Sequence, residues 1–189
     1  MSLNMVEYMT MKLEIKTYGS DILRKAARPV PEITDDIRAL ARDMIETMHD
    51  ADGVGLAAEQ IGRDESICVI DVPAGADKTR GADEFNAGIA MPLVLVNPEI
   101  TAREGAQRGS EGCLSFPDIH GQITRSMQVT VQYTDLDGKR QTATARGLLA
   151  RAIQHELDHL AGTLMIDRFS QLQKIAVGGK IRRLAAECQ

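Results

Sequence analysis

Cysteine is scarce in this chain. Cys68, Cys113 and Cys188 are three among 189 residues, odd in number and far apart. That excludes a disulfide framework and points to reduced thiols in a cytoplasmic setting. No apolar run approaches the length of a membrane span, so no membrane partner is expected. No charged segment followed by an apolar one opens the chain, so no secretory leader is expected. Positive charge is also short: 22 Lys and Arg face 27 Asp and Glu, for a net charge of −5. Nucleic-acid binding by the whole surface is therefore excluded, and no sequence-specific nucleic-acid partner is expected. Internal repeats are absent. At this length a single domain with a real core is the default. Met1, Met5, Met9 and Met11 are all possible initiators. Residues 1–10 are therefore set aside as an N-terminal extension or an expression remnant.

Histidine is scarce too, with four in the chain, yet two stand together in Gln154-His155-Glu156-Leu157-Asp158-His159. The H-E-x-x-H spacing puts two imidazoles one helical turn apart on one face. Both rings can then point at one metal ion, with Glu156 beside the open coordination position. The chemistry this predicts is metal-activated water attacking a carbonyl, with Glu156 moving the protons. An apolar helix leads into the motif from Gly147. Leu148, Ala152, His155 and His159 share a stripe, so the histidines face inward, and Gly162 offers a helix stop.

Such a site needs a third ligand. Downstream of His159 there is no further histidine, one glutamate (Glu187) and one aspartate (Asp167) that nothing marks. The better candidate is upstream, in Glu111-Gly112-Cys113-Leu114-Ser115. A thiolate is a strong ligand, and Cys/His/His leaves a fourth position open for water. Cys113 lies between glycines and Pro117, on a strand end or turn.

A third segment is Gly53-Val54-Gly55-Leu56-Ala57-Ala58-Glu59-Gln60. The dinucleotide-binding reading of G-x-G wants a strand before and a helix after, and the order here is the reverse. The small residues suggest close backbone approach to a ligand or to another element, and Gln60 supplies an amide donor.

The three segments GVGLAAEQ, EGCLS and QHELDH resemble, in order, the signature motifs of peptide deformylases. The resemblance runs from about Ile15 to Phe169. It implies an α+β fold, with antiparallel strands around a central helix that carries the two histidines, an N-terminal helix and a C-terminal tail helix. It implies one Fe2+ per chain, with Zn2+, Ni2+ or Co2+ able to replace it in purified protein. The implied reaction removes the formyl group from the N-terminal formyl-methionine of nascent chains. Cys113, His155 and His159 would hold the metal. Glu156 would be the proton carrier, and Gln60 with the backbone N–H of Leu114 would stabilise the oxyanion. Val54, Gly55 and Leu148 would line the pocket for the methionine side chain. Arg151, facing that side, is expected to snorkel outward. His120 reads as a surface residue that could reach the peptide beyond methionine; His49 carries no functional expectation.

Elsewhere, Thr34 is a plausible cap for a helix whose stripe is Ile37, Leu40, Ala41, Met44, Ile45 and Met48. Residues 66–72 read as a buried strand with Cys68 as inert packing. Residues 73–91, rich in Gly, Ala and Asp, read as a surface loop or insertion. A strand is expected to begin over 93–98, and strands over 127–133 and 141–146 are expected to join at Asp137-Gly138. The catalytic domain is placed at 11–170 and a basic tail at 171–189. Ser170 could cap a helix there, but Gly178-Gly179 should weaken or break it. The tail reads as a solvated face, with the ribosome as its possible partner.

Overall fold

The computed structural model describes residues 12–187. Seven strands form two antiparallel sheets. Gly55–Ala57 (β1), Ile67–Ile70 (β2), Leu93–Glu104 (β3), Gln128–Thr134 (β6) and Arg140–Arg146 (β7) pair in that spatial order. Gln107–Cys113 (β4) and Phe116–Arg125 (β5) form a separate hairpin. The helices are Asp35–Asp50 (α1), Ala82–Asn86 (α2), Gly147–Leu160 (α3) and Gln171–Glu187 (α4). The expected α+β architecture is present.

Strand β2 shows how the sheet is sandwiched. Its side chains alternate between faces. Cys68 and Ile70 join Leu149, Ala150 and Ile153 of α3 in one buried cluster, while Ile67 and Val69 join Leu40, Met44 and Met48 of α1 in another. Cys68 is wholly buried packing, as expected. A third cluster joins Phe116, Ile119 and Ile123 of β5 to Leu164, Met165 and Phe169. Thr34 accepts a hydrogen bond from the Ile37 N–H and so caps α1.

Strand β3, expected to begin over 93–98, continues to Glu104, because the pairing with β6 shifts register between Val96 and Glu99 and so accommodates the proline. Two expectations are corrected. The 73–91 segment is not only a surface loop. It contains α2, and Asp77 accepts from the Leu148 N–H at the start of α3 (2.5 Å) while Asn86 bonds both N–H and C=O of Arg146. Helix α4 is unbroken at Gly178-Gly179. Val177, Ile181 and Leu184 pack against the Phe116 cluster and hold it. Ser170 does cap it, through the Gln173 N–H (3.3 Å).

Candidate active site

Helix α3 begins at Gly147, whose φ of +64° turns the chain out of β7. A Cβ there would also meet Asp77 Oδ2 at 2.2 Å, so the turn and the cap are built together. One face of α3 packs on the five-stranded sheet. The other directs His155 and His159 toward Cys113, the last residue of β4. Their ligand atoms and the Cys113 Sγ all lie within 4.8 Å of one another. The His159 Nε2 lies 3.2 Å from Sγ, and the two imidazoles meet edge-on at 5.0 Å.

The arrangement fits a metal. Nδ1 of His155 lies 3.0 Å from Glu111 Oε2, which leaves Nε2 for a metal. Among the described residues the buried Nδ1 of His159 has no partner, and burial keeps this ring neutral by holding its pKa well below the ordinary value. A thiol and two imidazoles form a coherent donor set for a first-row divalent ion.

Glu156 is buried, and its Oε2 has no partner among the described residues. Burial pushes its carboxyl up to about 7, against the pull of His155 and Arg125. It lies against the backbone of Gly55, where a Cβ would come within 2.3 Å of Oε1. Gln60 is fixed by accepting from the Ala57 N–H (2.9 Å). Its amide donates toward Ser115 Oγ (3.2 Å) and Cys113 Sγ (3.5 Å). Gln60, Val54, Gly55, Leu114 and Leu148 all line one cleft of about 570 Å3 together with Cys113, His155 and Glu156. His120 lies on its exposed rim. His49 is outside it, 2.8 Å from Asp71.

Sequence reasoning missed what stands behind the histidine. Glu111 accepts from Arg125 Nε and Nη2 (2.9 Å each) and from Arg151 Nη1 (2.7 Å). Burial would raise its pKa, but the bonds from His155 and Arg125 outweigh burial and hold it well below the usual carboxylate range. Arg125 also pairs with Asp158. The available signal was Glu111 itself, which adjoins Gly112-Cys113. The expectation for Arg151 is corrected: it does not snorkel outward but is buried on Glu111 and lines the cleft.

Residues 12–175 match the model of the polypeptide deformylase family. The chain belongs to that family. It is 41% identical over 175 residues to the peptide deformylase of Alkalilimnicola ehrlichii, covering 93% of this chain and 92% of the relative. Among solved structures, peptide deformylase from Thermus thermophilus superposes with a TM-score of 0.81 at 36% identity, covering 94% of this chain and 99% of that one. A peptide deformylase from Synechococcus elongatus, solved in complex with actinonin, gives 0.77 at 38% identity, covering 89% and 85%. The chain is accordingly a metal-dependent amide hydrolase that removes a formyl group.

Proposed function

We propose that the cleft deformylates the N-terminal formyl-methionine of nascent polypeptides, with Cys113, His155 and His159 holding one Fe2+ and Glu156 carrying the protons. The observation behind this reading is a buried, unpartnered carboxylate oxygen beside a thiol and two imidazoles within 4.8 Å of one another. A ferrous ion held there would act as a Lewis acid and make water a better nucleophile near neutral pH. Affinity order means that purified protein carrying Zn2+, Ni2+ or Co2+ is compatible with it.

Glu156 takes a proton from the water that attacks the formyl carbon. As the carbon–nitrogen bond breaks, it passes that proton to the leaving nitrogen, giving formate and a free amine. Negative charge grows on the formyl oxygen meanwhile. We assign the Leu114 N–H and the Gln60 amide to it; removing one such donor typically costs about 3–4 kcal/mol of barrier. Val54, Gly55 and Leu148 are assigned to the pocket for the first side chain. Among the described residues no helix is long and apolar enough to cross a membrane, and we place the chain in the cytoplasm, where nascent substrates arise.

The test is formate release from formyl-Met-Ala-Ser by protein loaded with Fe2+ without oxygen. Glu156→Gln should lower kcat by roughly 100-fold or more while metal content is unchanged. No release from a protein shown to hold one metal overturns the assignment. The tail supports a further partner reading: α4 carries Lys174, Lys180, Arg182 and Arg183 against Glu187, which suits docking to the ribosome. Reversing Lys174, Arg182 and Arg183 to Glu should then abolish co-sedimentation with ribosomes at low salt. Unchanged co-sedimentation would end that reading.

A further inference from the structure

Helix α3 does not cap itself. Arg146 holds the N-cap position, and its side chain makes no capping hydrogen bond. The first N–H groups of a helix have no partner within it, and a first turn frays where nothing replaces one. Here the partner comes from elsewhere in the chain. Oδ2 of Asp77 accepts from the Leu148 N–H (2.5 Å), across 71 residues. Its other oxygen accepts from the Thr79 N–H (2.8 Å), which holds the carboxylate in place. A carboxylate at this end of a helix also meets the positive end of the helix dipole.

The segment that brings Asp77 is itself rooted. Ala82 is wholly buried, and Ile89 and Met91 pack on the cluster that contains Leu149 and Ile153. Asn86 accepts from the Arg146 N–H and donates to the Arg146 carbonyl (3.0 Å each). The cap is therefore presented by a fixed element rather than by a swinging loop.

Asp77 itself lies outside the cleft, but the residue it caps lies in the wall. Leu148, Arg151, Ala152, His155 and Glu156 are the α3 residues that line the cleft. Of these, Leu148 alone belongs to the first turn. Its neighbours Leu149 and Ala150 are buried in the core, whereas Leu148 is half-buried, so its place in the wall depends on its backbone. Arg151 and His155 are held further along by Glu111.

We propose that Asp77 is a positioning residue: by capping α3 at Leu148 it fixes that side chain in the wall, and so sets how tightly the cleft holds a long, unbranched first side chain. The inference rests on the deformylase reading and places part of its substrate selection outside the cleft.

The test compares wild type with Asp77→Ala, which removes both bonds, and Asp77→Asn, which keeps an acceptor oxygen without the charge. The metal-loaded proteins are assayed on formyl-X-Ala-Ser peptides in which X is methionine, norleucine or alanine. Losing a cap moves a first turn toward the frayed state by roughly 2–30-fold, and apparent affinity falls with the competent fraction. In Asp77→Ala, KM for the methionine and norleucine peptides should rise roughly 3–10-fold, while KM for the alanine peptide stays within about 2-fold. The kcat values should be unchanged, because His155 and Glu156 lie about two turns further along the helix. Asp77→Asn should recover most of the lost KM. Asp77→Ser, too short to reach both N–H groups, should act in the same direction by less and serves if Asp77→Ala does not fold. Equal KM changes for long and short side chains overturn the proposal. So does a fall in kcat at unchanged KM, or an Asn variant no better than the Ala variant.

Amide hydrogen exchange followed by NMR separates this proposal from the reading beneath it, because it needs no turnover. In Asp77→Ala the Leu148 N–H should exchange roughly 2–30-fold faster, and those of His155 and Glu156 at their wild-type rates. Suppose that no formyl-peptide is cleaved, yet exchange changes in this way and calorimetric binding of Met-Ala-Ser weakens relative to Ala-Ala-Ser. The deformylase reading then falls and the positioning role stands. If cleavage occurs and Leu148 exchanges at its wild-type rate in Asp77→Ala, the reverse holds.

Discussion

The two histidines of α3 approach the same cysteine and have different support. His155 is held from behind: Glu111 takes its Nδ1, and Arg125 and Arg151 hold Glu111. Among the described residues the buried Nδ1 of His159 has no partner, so packing alone orients this ring until a metal binds it. One ring is therefore held by protein groups alone, and the other would be completed by a bound metal. The carboxylates repeat the contrast. Glu111 is buried and fully paired, whereas Glu59 is buried with neither oxygen partnered among the described residues, and burial pushes its pKa up to about 8.

Removing the support should have the largest effect. Glu111→Ala leaves Arg125 and Arg151 buried without their shared carboxylate, and stability should fall by about 3–5 kcal/mol in denaturant unfolding. Metal affinity should fall roughly 10–100-fold as His155 loses its orienting partner. A variant with wild-type metal affinity would erase the distinction between the rings.

Chelation tests the other half. A metal present at about 1,000 times its Kd contributes about 4 kcal/mol, so the metal-free protein should melt lower. Nitrogen NMR of the imidazoles should then show the His155 tautomer unchanged and that of His159 altered. Equal responses of the two rings would refute the asymmetry.

The last effect, smallest per unit of pH, concerns Glu59. Its folded pKa of about 8 lies above the ordinary value of 4.5, so its contribution to stability is full below pH 4.5 and is lost as pH rises through 8. Wild type should lose up to about 1.4 kcal/mol per pH unit across that window relative to Glu59→Gln. Parallel stability curves for the two proteins would show that the carboxyl titrates normally.

The residues legible in the sequence are those whose chemistry is local. His155, Glu156 and His159 declare themselves by helical spacing, and Cys113 by being the ligand type left over. The α1 stripe and the alternation in β6 follow from period alone. Arg151 was not legible, because its partner Glu111 is 40 residues away and its room is made by Gly109 on another element. The role of 73–91 was hidden for the same reason: Asp77 meets Leu148 across 71 residues. Composition marked that segment as a loop and carried no sign of the helix start it caps. In α4, the cost of Gly178-Gly179 was visible and the offsetting contacts of Val177, Ile181 and Leu184 were not.

Gly109 also sets how much slack the wall of the cleft has. A Cβ at 109 would stand 3.0 Å from Nη2 and 3.2 Å from Cζ of Arg151, so even a methyl group there would be taken up only by a small shift of the guanidinium. That guanidinium also holds Glu111, and Glu111 holds His155. The absence of a side chain on one strand is thus felt, through three residues in series, at an imidazole on a helix.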